Sequence, residues 1–109
     1  MSLKERVYSV LVVSAADNFN SALKDLLPES KYHPVHTVSN ISTAKRIVAE
    51  RVFDYVIVNS PLPDDNGTHF AVDVCAGKCT VVLLFVRNDV YAQVFNKVAE
   101  HGVFVLPKP

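Results

Sequence analysis

Residues 54–67, DYVIVNSPLPDDNG, constrain the chain more than any other stretch. Tyr55, Val56, Ile57 and Val58 form an apolar run of strand length, too short for a buried helix and rich in β-branched side chains. The run stops at the polar pair Asn59-Ser60 and breaks on Pro61, Pro63 and Gly67, which are turn and loop residues. A strand that is apolar at every position is buried on both faces, as in a parallel sheet covered by helices. Such sheets bind ligands beyond the carboxyl ends of their strands. Asn59 therefore stands where an α/β protein places its chemistry, and it is an amide.

The rest of the chain alternates in the same style. Residues 7–13 read as an apolar strand, and Phe19, Leu23, Leu26 and Leu27 then recur at helical spacing until Pro28, with Asp17 or Asn18 as the expected N-cap. Residues 33–38 form a short second strand, with Val35 and Thr37 on one side and His36 and Val38 on the other. Ser39 or Asn40 opens a second helix whose buried stripe is Ile41, Ala44, Ile47 and Val48. After the central stretch come a short helix over 68–76, with Gly77 at its C′ position, and TVVLLFV at 80–86 as a second fully buried strand. Asn88 or Asp89 caps a fourth helix carrying Val90, Val94 and Val98; Gly102 ends it, and residues 103–106 make a fifth strand. Strands alternating with helices predict right-handed βαβ units in one doubly wound parallel sheet. The pattern stops after strand five, so the last helix of such a fold is expected to be absent from this chain and the chain to be a fragment of a longer polypeptide.

A chain of 109 residues makes one domain, here 1–109, and half of its residues are hydrophobic. Eleven basic residues balance eleven acidic ones, so nothing global draws it to nucleic acid or an anionic membrane. No run reaches transmembrane length and the first residues lack a signal-peptide core, which makes cytoplasmic residence the expectation. Cys75 and Cys79 read as reduced thiols, and His33, His36, His69 and His101 as scattered surface or core histidines with no metal role.

With five strands placed, the sequence resembles the receiver domain of bacterial response regulators. The stretch DYVIVNSPLPDDNG is similar to that family's pattern of an aspartate, a hydrophobic strand, the acceptor aspartate and a loop with Leu-Pro and Gly; Leu62, Pro63 and Gly67 fall on it without a gap. The terminal Leu106-Pro107-Lys108-Pro109 is similar to the family's Lys-Pro after strand five. The resemblance implies a flavodoxin-like, five-stranded sheet of order 2-1-3-4-5. It also implies phosphoryl transfer onto an aspartate, with Mg²⁺ held by carboxylates after strand one, a hydroxyl after strand four and a lysine after strand five. Mg²⁺ takes oxygen ligands, usually including carboxylates, and phosphoryl transfer depends on positioning and charge neutralisation.

Carried over position by position, most of that chemistry is missing. The phosphoacceptor position is Asn59, the acidic pair becomes Ser14 and Ala15, and the hydroxyl falls on Phe85, or Val86 with a one-residue shift. Only Lys108 is retained. Asp64 and Asp65 read as solvated turn residues, either of which could pair with Lys108. The resemblance thus implies a degenerate pseudo-receiver without enzymatic activity, cofactor or metal, acting by protein–protein interaction in two-component-type signalling or transcription regulation. Its texture is similar to the N-terminal half of ANTAR-type antitermination regulators, whose RNA-binding effector would lie outside this chain. The domain itself is expected to bind neither nucleic acid nor membrane. Without the last helix, a homodimer is expected through the uncovered sheet flank or through the fourth helix and fifth strand, with Tyr91 and Phe104 supplying aromatic area. The alternatives are a phosphoacceptor with unusual residues and a small-molecule sensor at the strand carboxyl ends; the absence of a Gly-rich loop after strand one argues against a nucleotide there.

Overall fold

The computed structural model describes residues 6–108. Among them five strands, β1 Tyr8–Val13, β2 Tyr32–Val38, β3 Tyr55–Asn59, β4 Val81–Val86 and β5 Phe104–Pro107, alternate with four helices, α1 Asp17–Leu26, α2 Ile41–Glu50, α3 Thr68–Ala76 and α4 Tyr91–Val98. The sheet is parallel throughout with the order β2-β1-β3-β4-β5. It is doubly wound, as the alternation predicts, and its order is the flavodoxin-like one that the resemblance implies. No described helix is long and apolar enough to cross a membrane.

Pleating sorts each strand's side chains onto two faces. Leu11, Val13, Val56, Val58, Val82, Leu84, Val86 and Val105 point to the side covered by α2, α3 and α4, where they pack with Ile41, Ala44, Phe53 and Phe70 in the larger core. Val10, Val12 and Ile57 point to the other side, where α1 alone brings Phe19, Leu23 and Leu27. Each fully buried Val or Leu stabilises the fold by about 1.5–3 kcal/mol relative to leaving it in water. The three-helix side therefore carries most of that stabilisation.

The unequal cover corrects one expectation: β4 is not buried on both faces. Val82, Leu84 and Val86 are buried, but Leu83 and Phe85 are only half-buried and Val81 is exposed. Their neighbour on β5, Phe104, is 61% exposed. Helix α1 reaches only as far as Phe85, on whose ring Phe19 packs edge-on with centroids 5.2 Å apart.

Three helix ends also depart from the sequence reading. Asn40 does cap α2, accepting from the Thr43 amide at 2.8 Å. The N-cap of α1, however, is Ala16, whose own amide donates to Ser14 Oγ; Asp17 is already helical, so its charge serves the positive end of the helix dipole rather than a cap bond. Gly77 is right-handed, and Lys78 takes the positive φ of 61° after α3. Arg87, not Asn88 or Asp89, is the N-cap of a 3₁₀ turn over Asn88–Val90 that leads into α4.

The loop from β3 to α3 is held from within. Leu62 is buried in the larger core, and Asp65 Oδ1 accepts from the Gly67 amide. Asp64, expected to be a solvated turn residue, instead reaches the start of α2: its two oxygens accept from the Ile41 and Ser42 amides at 2.9 and 3.0 Å. Those two amides are free donors of the helix's first turn, and they hold the Asp64 carboxyl below its ordinary 3.8. Gly67 has φ 82°, and a Cβ there would lie 2.8 Å from Val58 Cγ1.

Two outcomes follow. Gly67→Ala should destabilise the domain by about 2 kcal/mol in a denaturant titration, combining left-handed strain with the Val58 overlap. For Asp64 the lowered carboxyl contributes stability that is present above 3.8 and lost as pH falls through its folded value. Asp64→Asn should flatten that acid limb and speed hydrogen exchange at Ile41 and Ser42 specifically.

Candidate functional site

The carboxyl ends of β1, β3 and β5 converge on one polar cluster. Apolar strands end there because the chain runs out of core: Val13 and Val58 are the last buried aliphatics, followed by Ser14 and Asn59. Both polar residues remain buried, Ser14 at 1% and Asn59 at 5% exposure, so each needs a partner. They find one in each other and in Lys108. Lys108 Nζ donates to Asn59 Oδ1 at 2.9 Å and to the Ser60 carbonyl at 2.6 Å. Asn59 Nδ2 donates to Ser14 Oγ at 3.2 Å, and Ser14 Oγ also accepts from the Ala16 amide.

The orientation of the Asn59 amide follows from its neighbours. An ammonium only donates, so the amide oxygen must face Lys108 and the NH₂ must face Ser14. Backbone bonds fix the approach of the lysine: the Lys108 amide donates to the Val86 carbonyl at 2.8 Å, and the Ser60 amide donates to the Phe85 carbonyl at 2.9 Å. Partial burial first, and then the Arg87 charge, hold the Lys108 ammonium below its ordinary 10.5. A carboxylate partner would push it the other way.

Of the residues singled out in the sequence, the structure joins Asn59, Ser14 and Lys108 in direct hydrogen bonds. Ala15 lies beside them, exposed, on the chain between Ser14 and α1. Phe85 is register partner to Asn59, but its ring packs on Phe19, while the adjacent Val86 is buried in the larger core. Neither brings a hydroxyl to the cluster. Neither Asp64 nor Asp65 pairs with Lys108; both are engaged inside the loop and at α2. Pro109, which completes the terminal motif, lies outside the described residues, as does the geometry of the Lys108–Pro109 bond. The Ser14–Asn59 contact went unforeseen, because only the β1–β3 register brings two residues 45 positions apart together.

Neither a family model nor a curated protein matches the chain. Solved structures do. A signal receiver domain of an HD domain-containing protein from Pseudomonas fluorescens Pf-5 superposes with a TM-score of 0.78 at 20% identity, over 96% of this chain and 77% of that one. The non-phosphorylated HemR receiver domain from Leptospira biflexa gives 0.78 at 29% identity, over 94% and 82%. The response regulator TrrA from Thermotoga maritima, solved in complex with Mg²⁺-BeF, gives 0.75 at 21% identity, over 94% and 88%.

The fold is that of a response-regulator receiver domain.

A receiver fold implies Mg²⁺ at the carboxyl ends of the strands, and the donor set here does not fit it. The cluster offers one hydroxyl, one amide and an ammonium, with no carboxylate. The amide's single oxygen accepts from Lys108, so turning it to a cation would strand the ammonium beside that cation. Among the described residues no group of three His, Cys, Asp or Glu side chains is disposed to hold a metal.

Asn59→Asp offers an electrostatic test. A carboxylate beside Lys108 should raise the lysine pKa by about one unit or more, from below to above its ordinary value. In the native receiver, stability should rise with pH between the lowered Lys108 pKa and 10.5, because the unfolded chain binds that proton more tightly there. Asn59→Asp should reverse that slope. NMR titration of the Lys108 Cε resonance, with denaturation at several pH values, measures both.

Proposed function

We propose that this domain is a pseudo-receiver: a receiver that regulates by protein–protein contact, without aspartyl phosphorylation, in two-component-type signalling and transcription control. The observation that carries the reading is the Lys108–Asn59–Ser14 chain of hydrogen bonds, which joins at the expected phosphoryl site an ammonium, an amide and a hydroxyl. An amide has no oxygen nucleophile able to form an acyl phosphate. Three crowded carboxylates without metal repel each other and raise their own pKa values. Asn59, Ser14 and Ala15 remove that repulsion, so the site stays in one state at neutral pH. On this reading the domain catalyses nothing and works in the cytoplasm.

Its output would be contact. Val81, Leu83, Phe85 and Phe104 form an apolar strip on the α1 side of β4 and β5, and Phe95 on α4 is also exposed. Contiguous apolar surface of this kind marks an interface. We assign the strip to self-association of the domain, with an effector elsewhere in the regulator, of the RNA-binding antitermination type, responding to that assembly. Sensing of a small molecule at the strand carboxyl ends is the second reading. It has a cavity of about 310 Å³ beside Ser60, with Arg87 and Lys97 in its wall.

Incubation with acetyl phosphate and Mg²⁺, followed by intact mass spectrometry, tests the main reading. The native domain should gain no phosphoryl mass. The variant S14D/A15D/N59D should be labelled, and should be less stable than the native domain until Mg²⁺ is added. A phosphoryl adduct on the native domain contradicts the reading. Sedimentation of Phe104→Ser should show weaker self-association with little change in stability, since the side chain is mostly in water already.

A further inference from the structure

At the opposite end of the sheet from Asn59 lies a second cavity, of about 510 Å³, between α2 and α3. It opens where β3 and β4 begin, and Thr80 Oγ1 closes its floor by donating to the Phe53 carbonyl at 2.6 Å. Its walls are apolar: Val48 from α2, Phe53, and Phe70 and Val74 from α3. Phe53 and Phe70 are buried in the core, so the floor is rigid, and the volume falls in the range of small-molecule sites.

The mouth carries charge. Lys45 and Arg51 come from the α2 side, and Arg51 lies over the Phe53 ring with its guanidinium carbon 4.8 Å from the centroid. Among the described residues neither cation has a carboxylate within ion-pair distance. Asp73 stands on the α3 wall and would repel a second negative charge. An apolar hollow rimmed by two cations without a close ion pair, Lys45 also in the field of the Asp64 carboxylate, and by Asp73 on the far wall is complementary to a ligand with a hydrocarbon body and a single anionic head.

We propose that this α2–α3 cavity binds a small amphipathic monoanion, an acyl or aryl chain ending in one carboxylate. The chain lies against Val48, Phe53, Phe70 and Val74, and the head sits between Lys45 and Arg51. Both cations are exposed, so their replacement leaves the fold intact. The site is independent of the phosphoryl-site chemistry, being lined by none of the same residues.

The experiment is a titration of the 109-residue protein with octanoate below its micelle concentration, followed by amide NMR, with octanol as the neutral isostere. Octanoate should give saturable shifts centred on Val48, Phe53, Phe70 and Val74. Octanol, and octanoate against K45Q/R51Q, should bind at least tenfold more weakly. Octanoate should also slow alkylation of Cys79, an exposed thiol in the cavity wall, several-fold. Shifts centred instead on Leu83 and Phe104 would mean adsorption to the bare flank and overturn the proposal. Equal affinity for octanol, no saturation, or shifts produced by an apolar peptide and not by octanoate would overturn it as well.

Discussion

The site depends on how one ammonium, entering from the end of β5, is accommodated among strand ends that have run out of apolar side chains. Lys108 ties β5 to β3 through Asn59 Oδ1 and the Ser60 carbonyl, and Asn59 passes the connection to Ser14 at the end of β1. Buried polar groups are costly when unpaired, by about 1–3 kcal/mol each, so the buried Ser14 and Asn59 and the half-buried Lys108 must be arranged as a set. Here Lys108, Asn59 and Ser14 satisfy one another in sequence, while Asn20 donates to the Ser14 carbonyl and keeps a buried Oδ1 without a partner. Lysine gives only donors, the amide turns its oxygen to it, and the amide's NH₂ finds the serine hydroxyl. These hydrogen bonds use no external cation.

The same chain leaves its two sheet faces unequally covered. Three helices bury one face; on the other, α1 covers β1 and β3 and reaches only the edge of β4. The consequence appears residue by residue along β4, where buried and half-buried side chains alternate. The proposed reading, in which information passes through contact rather than through a covalent mark, rests on the Asn59 hydrogen bonds and on this apolar flank. The α2–α3 cavity lies outside both features and would give the domain an input of its own.

Much of this was legible in the sequence, for physical reasons. Runs such as YVIV have one good solution in a helix-covered parallel sheet, so the fold class followed from the alternation, while the strand order came with the resemblance to receiver domains. The polar cluster was legible in part, because Asn59 closes an apolar strand and the resemblance picks out Ser14 and Lys108. What could not be read was which side chains meet across the sheet. Ser14 and Asn59 are joined by register, and Asp64 reaches α2 only because the loop folds back over it. Capping at Ala16 and the right-handed Gly77 were missed because propensity names the commonest residue for a position, while the surrounding contacts select the conformation. The two-sided burial expected for β4 failed because a run of hydrophobic residues does not say how many helices will cover it.

On the proposed reading the Lys108–Asn59–Ser14 cluster takes up neither metal nor phosphoryl group. The most direct measurement is an NMR titration with Mg²⁺ and then with beryllofluoride, following the amides of Ser14, Asn59 and Lys108 and the Asn59 side-chain NH₂. These resonances should stay in place at millimolar additions of both. Saturable shifts gathered on those three residues would contradict it, and would mean that an amide and a hydroxyl hold the cation that carboxylates normally bind.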